Sequence, residues 1–144
     1  MFEPIGYVSH GLPDEEVKKR RVEGKIVVRE EYAAGLKGLE EFSHIIVVSY
    51  LHKRRGAPLL VRPKRVEARG IPAPEVGVFA TDSPDRPNPI GVSIVKLLKV
   101  EGSVLHVAEL DLFDGTPVLD IKGFSPTRCP QDAKAPRWAL ADHV

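Results

Sequence analysis

The stretch TDSPDRPNPIGVS, Thr81 to Ser93, places three prolines, Pro84, Pro87 and Pro89, within six residues. Proline fixes its own φ and lacks a backbone donor, and it pushes the preceding residue toward extended backbone. Ser83, Arg86 and Asn88 hold those preceding positions, so the arm is stiff and presents Arg86 and Asn88 in defined directions. A guanidinium held this way is a planar fork of donors suited to a carboxylate. A solvent loop does not need that stiffness; a binding site does. Two other places carry groups able to do chemistry. Asp114-Gly115 follows an apolar strand pattern and sets a carboxylate at a tight turn, while His52 and Lys53 end the apolar run SHIIVVSYL. A positioned carboxylate or imidazole can take up or release a proton. Taken alone, the same residues allow plainer roles: an Arg86 surface pair with Asp82 or Asp85, a bare hairpin turn at Asp114-Gly115, and a strand-end surface His52.

The elements that must position these groups are mostly strands. Glu3–Ser9, Gly24–Glu30, Ser43–Leu51, Glu75–Thr81, Ile90–Val100, Val104–Phe113 and Thr116–Phe124 carry the strand signature. The run Ser43–Leu51 is apolar at nearly every position, the pattern of a strand buried on both faces. Glu101-Gly102-Ser103 joins two of the strands as a long hairpin. Helix is scarce: Glu30–Phe42 is the best candidate, and Asp14–Arg21 adds a turn with Asp14 as its cap. Residues 54–74 read as an irregular flap, and a proline-punctuated tail follows residue 126. The expectation is an all-β, β-dominated fold: one domain over residues 1–144, with a closed β-barrel at about 3–126, one short helix and a tail at 127–144.

Composition narrows the chemistry. The single cysteine, Cys129, leaves no internal disulfide and no cysteine cage, and the five histidines form no i,i+4 pair, so no metal site is expected. A nucleophilic Cys129–His pair stays open. There is no G-x-G-x-x-G between strand and helix, no P-loop and no G-x-S-x-G elbow. The doubly wound nucleotide-binding folds are thereby set aside. No charged-then-apolar leader opens the chain, and the longest apolar run, His44–Leu51, is too short to cross a bilayer. The expected setting is cytoplasmic, away from membrane. A formal net charge of +1 conceals basic clusters at Lys18–Arg21, Lys53–Arg55 and Arg62–Arg69, either a positive face for nucleic acid or ordinary solvated surface.

The order FSHIIVVSYLHK, GVFATDSPDRPNPIGVS, LDLFDGTPVLDIKGF, with GLEEFSH at Gly38–His44, resembles the TsaA-like, TrmO family, covering Ile5 to about Pro126. Its members are S-adenosylmethionine-dependent methyltransferases acting on N6 of threonylcarbamoyladenosine beside the tRNA anticodon. The resemblance implies a TsaA-like barrel, S-adenosylmethionine as cofactor, tRNA as partner and a homodimer. Residue by residue it implies that Arg86 and Asn88 of R-P-N-P, the pair His52 and Lys53, and the turn Leu112, Phe113, Asp114 and Gly115 contact the cofactor. Asp114, with His52 second, is the candidate for a catalytic base; Tyr50 or Phe79 is a candidate for base stacking, with a place in the core as the plainer role of either. One departure stands out: Asp82 occupies a position where many members carry arginine. Rival readings are methylation of another RNA or a small molecule, and a non-catalytic RNA-binding barrel.

Overall fold

The computed structural model describes residues 1–63 and 69–141. Lys64 and Arg65 of the third basic cluster, part of the expected flap and His143 lie outside them. The chain divides into two compact units, Met1–His52 with Ile90–Arg128, and Lys53–Pro89 with the tail from Cys129. In chain order the strands are β1 (Gly6–Ser9), β2 (Val22–Val28), β3 (His44–Tyr50), β4 (Leu60–Val61), β5 (Val76–Gly77), β6 (Ile90–Glu101), β7 (Val104–Leu110) and β8 (Pro117–Gly123). Among the described residues the α-helices are α1 (Asp14–Lys19) and α2 (Arg137–Ala141).

The first unit is the expected closed barrel, with six strands in the order β1-β2-β7-β6-β3-β8. Closure leaves no open sheet edge. Alternation drives it: Ile45, Val47, Val95, Leu105, Val107 and Val118 point inward and are 0% exposed. On β3 the outward Ile46 is also covered, whereas Tyr50 at the strand end is 43% exposed, so only part of this run is buried on both faces. The strand registers set the rims. Tyr7 pairs with Pro117, Ser49 with both Val118 and Gly91, and Val22 with Leu110. The end of β1, the end of β3, the start of β6 and the whole β7–β8 connection therefore share one rim.

Several local expectations change. Glu30–Phe42 is not an α-helix but two 3-10 segments, Glu30–Leu36 and Leu39–Glu41, parted by Gly38 at φ 88°. Glycine in the left-handed region, with Gly35 beside it, breaks the helical hydrogen-bond ladder. The α-helix of this unit is α1, entered from Pro13, with Asp14 inside it rather than capping it. Its acids fill the first turn and its lysines the last, with pairs Lys18–Glu15 at 3.4 Å and Arg20–Glu16 at 3.5 Å. The cluster Lys18–Arg21 thus follows the helix dipole and is locally compensated. The strand read at Val104–Phe113 ends at Leu110, and within it Glu109 adopts φ 61°.

The second unit holds the two-stranded sheet of β4 and β5, in which Leu60 pairs with Gly77 and Val61 with Val76. The strand read at Glu75–Thr81 is only Val76–Gly77, followed by a 3-10 turn at Val78–Ala80. Among the described residues, no helix is long and apolar enough to cross a membrane.

Candidate functional site

Within the barrel unit, the shared rim collects His52, the turn Leu112–Gly115 and the loop His10–Leu12. A hydrogen-bond lock joins the loop to the turn. Asp114 Oδ1 accepts from the backbone N–H of His10 at 2.9 Å and of Gly11 at 3.2 Å. The Leu12 N–H donates to His10 Nδ1 at 3.0 Å, so the ring proton sits on Nε2, which donates to the Leu112 carbonyl at 2.9 Å. The Gly115 N–H, at φ 79°, donates to the Val8 carbonyl at 2.8 Å, and Thr116 Oγ1 donates to the Phe113 carbonyl at 2.6 Å. Asp114 is therefore a carboxylate that orders two chain segments. Leu112 is 5% exposed and belongs to the core, with Phe113 packed against that core. His52 is half-buried in the turn after β3.

A second carboxylate on this rim escaped the sequence reading. Ser93 Oγ donates to Asp111 Oδ1 at 2.7 Å, Ser93 being buried and Asp111 exposed. The signal was present in the apolar phase of VLHVAELDLF. Leu105 and Val107 occupy odd positions and Leu110 and Leu112 even ones, a slip of one residue that marks a bulge. Pairing confirms it: Gly24 pairs with Val107 but Val22 with Leu110. Buried polar side chains concentrate at this mouth, namely Ser49, Ser93 and Thr116. Ser49 Oγ has no hydrogen-bond partner among the described residues. A Cβ on the neighbouring Gly91 would stand 2.7 Å from that oxygen and 2.9 Å from Leu51 Cδ2, so glycine is what the close approach permits there.

The second unit holds the proline arm together with Lys53, Arg86 and Asn88. Arg86 Nη1 donates to the Thr81 carbonyl at 2.6 Å and the Ser83 carbonyl at 3.2 Å. Asp85 Oδ1 accepts from the Arg55 backbone N–H at 2.5 Å. Arg54 Nη1 donates to the carbonyls of Arg86 at 2.6 Å and Pro87 at 3.1 Å. Prolines leave carbonyls without matching donors, and a guanidinium supplies them. Arg54, counted by sequence within a basic cluster, is thus a staple of the arm. Lys53 and Asn88 are exposed, and Phe79 is 75% exposed.

Comparison with known proteins is consistent along nearly the whole chain. Residues 7–128 match the family described as the tRNA-methyltransferase O N-terminal domain. The chain is 39% identical over 131 residues to a probable S-adenosyl-L-methionine-binding protein of Pyrococcus abyssi, covering 87% of this chain and 68% of that one. It is 39% identical over 116 residues to the tRNA (adenine(37)-N6)-methyltransferase of Escherichia coli, covering 76% of this chain and 48% of the enzyme. A crystal structure of TrmO superposes with a TM-score of 0.74 at 32% identity, over 94% of this chain and 62% of that one. The chain thus spans about half the length of the Escherichia coli enzyme and about three fifths of the solved TrmO chain.

Proposed function

Because the chain belongs to the tRNA-methyltransferase O N-terminal domain family, we propose that it is an S-adenosylmethionine-dependent methyltransferase acting on N6 of an adenine in the tRNA anticodon loop. The acceptor in this reading is threonylcarbamoyladenosine, and the setting is the cytoplasm. The observation that carries the reading is the stapled R-P-N-P arm and the locked D-G-T-P turn lying within the matched residues 7–128.

The residues present fit the cofactor. Arg86 offers guanidinium donors for the amino-acid carboxylate, on an arm braced before any ligand arrives. Lys53 and Asn88 are the further candidates in that unit, and in the barrel unit the candidates are His52 and Leu112–Gly115. The cofactor supplies a methyl group made electrophilic by its sulfonium. The protein's task is to orient an acceptor nitrogen whose lone pair is delocalised into the ring, and to take its proton.

Charge supports an RNA partner. Residues 53–89 carry eight basic and four acidic side chains, against a net +1 for the whole chain, so the rest is net negative. A cationic segment that also exposes Phe79 suits unpaired RNA, through phosphate contacts and base stacking. A homodimer is part of the same reading. On the outer barrel face Tyr50 pairs with Ile90, Val48 with Val92 and Ile46 with Ile94, a contiguous apolar ladder in which Val92 is 69% exposed. The flanking β8 face turns charged, with Lys122 and Asp120 paired at 3.5 Å. An uncharged ladder with a charged border suits a self-complementary two-fold contact with a second copy. Val92→Glu is expected to yield a monomer by light scattering; an unchanged dimer mass would place the contact elsewhere.

Titration calorimetry with S-adenosylmethionine separates this reading from a binding-only barrel. The expected result is one site per chain, whereas an RNA-only module gives no heat.

A further inference from the structure

Resting on the methyltransferase reading, we propose that Asp111, and not Asp114, is the carboxylate that takes the proton from the acceptor nitrogen, and that Ser93 holds it in position. Three independent observations point the same way. First, the Asp114 carboxylate is committed to structure, since Oδ1 satisfies the amides of His10 and Gly11. Moving that carboxylate to a substrate would release both amides. Second, among the described residues Asp111 is fixed through one oxygen: Ser93 Oγ donates to Oδ1 at 2.7 Å while the residue stays exposed on the rim. A carboxylate anchored at one oxygen and open at the other is oriented without being used up. Third, the mouth beside it has an unmet hydrogen bond. Ser49 is 0% exposed and its hydroxyl has no partner among the described residues. Buried hydroxyls of this kind point to a polar ligand group or a bound water. Ser49 opposes Gly91 and Ser93 opposes Val47, so the two serines are diagonal neighbours on the inner face.

The backbone is also bent to deliver Asp111. Glu109 sits at φ 61°, a conformation that is costly for a residue with a side chain, and the bulge it makes resets the strand just before Asp111. Strain of that kind persists where surrounding structure enforces it, commonly at working sites.

In the proposed step, Asp111 Oδ2 takes the proton that the nitrogen loses as its bond to the methyl carbon forms. The electron pair of the broken carbon–sulfur bond remains on sulfur, and the proton later leaves to water. Ser93 does not touch the acceptor; it is a positioning residue acting through Oδ1.

The test uses the full chain, S-adenosylmethionine and tRNA bearing unmethylated threonylcarbamoyladenosine, with single-turnover rates as the readout. Asp111→Asn is expected to lower the rate about 100-fold or more and to leave the cofactor Kd within about twofold. Ser93→Ala is expected to cost about tenfold, with Ser93→Thr restoring most of the rate. A rate for Asp111→Asn within about threefold of wild type overturns the assignment, as does a cofactor Kd that weakens in step with the rate. Ser93→Thr no better than Ser93→Ala overturns the positioning role. Wild-type protein that binds the cofactor but methylates no tRNA overturns the underlying reading, and the proton role with it.

Discussion

Arg86→Ala is expected to raise the Kd for S-adenosylmethionine by about 10- to 100-fold, and Arg86→Lys by about tenfold, in titration calorimetry. A charge-assisted hydrogen bond contributes about 1.5–3 kcal/mol, and each 1.4 kcal/mol is a factor of about ten. Lysine keeps the charge but loses the planar fork, so its deficit isolates geometry from charge. The arm is braced beforehand: Arg54 donates to the Arg86 and Pro87 carbonyls, and three prolines restrict the chain around them. Little ordering cost is left for the ligand to meet. Arg86 Nη1 also holds the Thr81 and Ser83 carbonyls, so Arg86→Ala loosens the turn as well, and the lysine variant is the sharper comparison. Unchanged affinity in both variants would remove Arg86 from the cofactor site.

Asp114→Ala is expected to destabilise the protein by about 2–3 kcal/mol, whereas Asp114→Asn is expected to cost less than about 1 kcal/mol. The alanine leaves the His10 and Gly11 amides without their acceptor, and the loop loses its tie to the turn. Asparagine keeps an oxygen at the same place. In thermal unfolding the alanine variant should melt about 5–10 °C lower, with the asparagine variant close to wild type. At saturating cofactor, Asp114→Asn should keep turnover within about threefold of wild type. A stable Asp114→Asn protein that has lost about 100-fold or more in rate would return the base to Asp114.

Much of the architecture could be read from the chain because its driving force is local. Alternating apolar residues at Ile45, Val47, Val95, Leu105 and Val107 specify inward faces, and glycine turns at Gly102 and Gly115 specify the returns. What could not be read depends on partners distant in sequence. The structural role of Asp114 was invisible because the amides it accepts from lie 104 and 103 residues away. Arg54 looked like a surface cation because the carbonyls it holds lie 32 and 33 residues on. Asp111 was hidden for a different reason: one slipped residue at Glu109 moved it off the pattern that named its neighbours. The expected helix at Glu30–Phe42 failed locally, since apolar spacing alone does not outweigh glycines inside the run.

The central claim is that this chain moves a methyl group from S-adenosylmethionine to N6 of an anticodon-loop adenine. Its most direct test is nucleoside mass spectrometry of tRNA bearing threonylcarbamoyladenosine after incubation with the purified chain and the cofactor. The account predicts a gain of one methyl group on that nucleoside, dependent on both cofactor and protein. Unaltered tRNA, from a chain shown in the same preparation to be folded and to bind the cofactor, would contradict it.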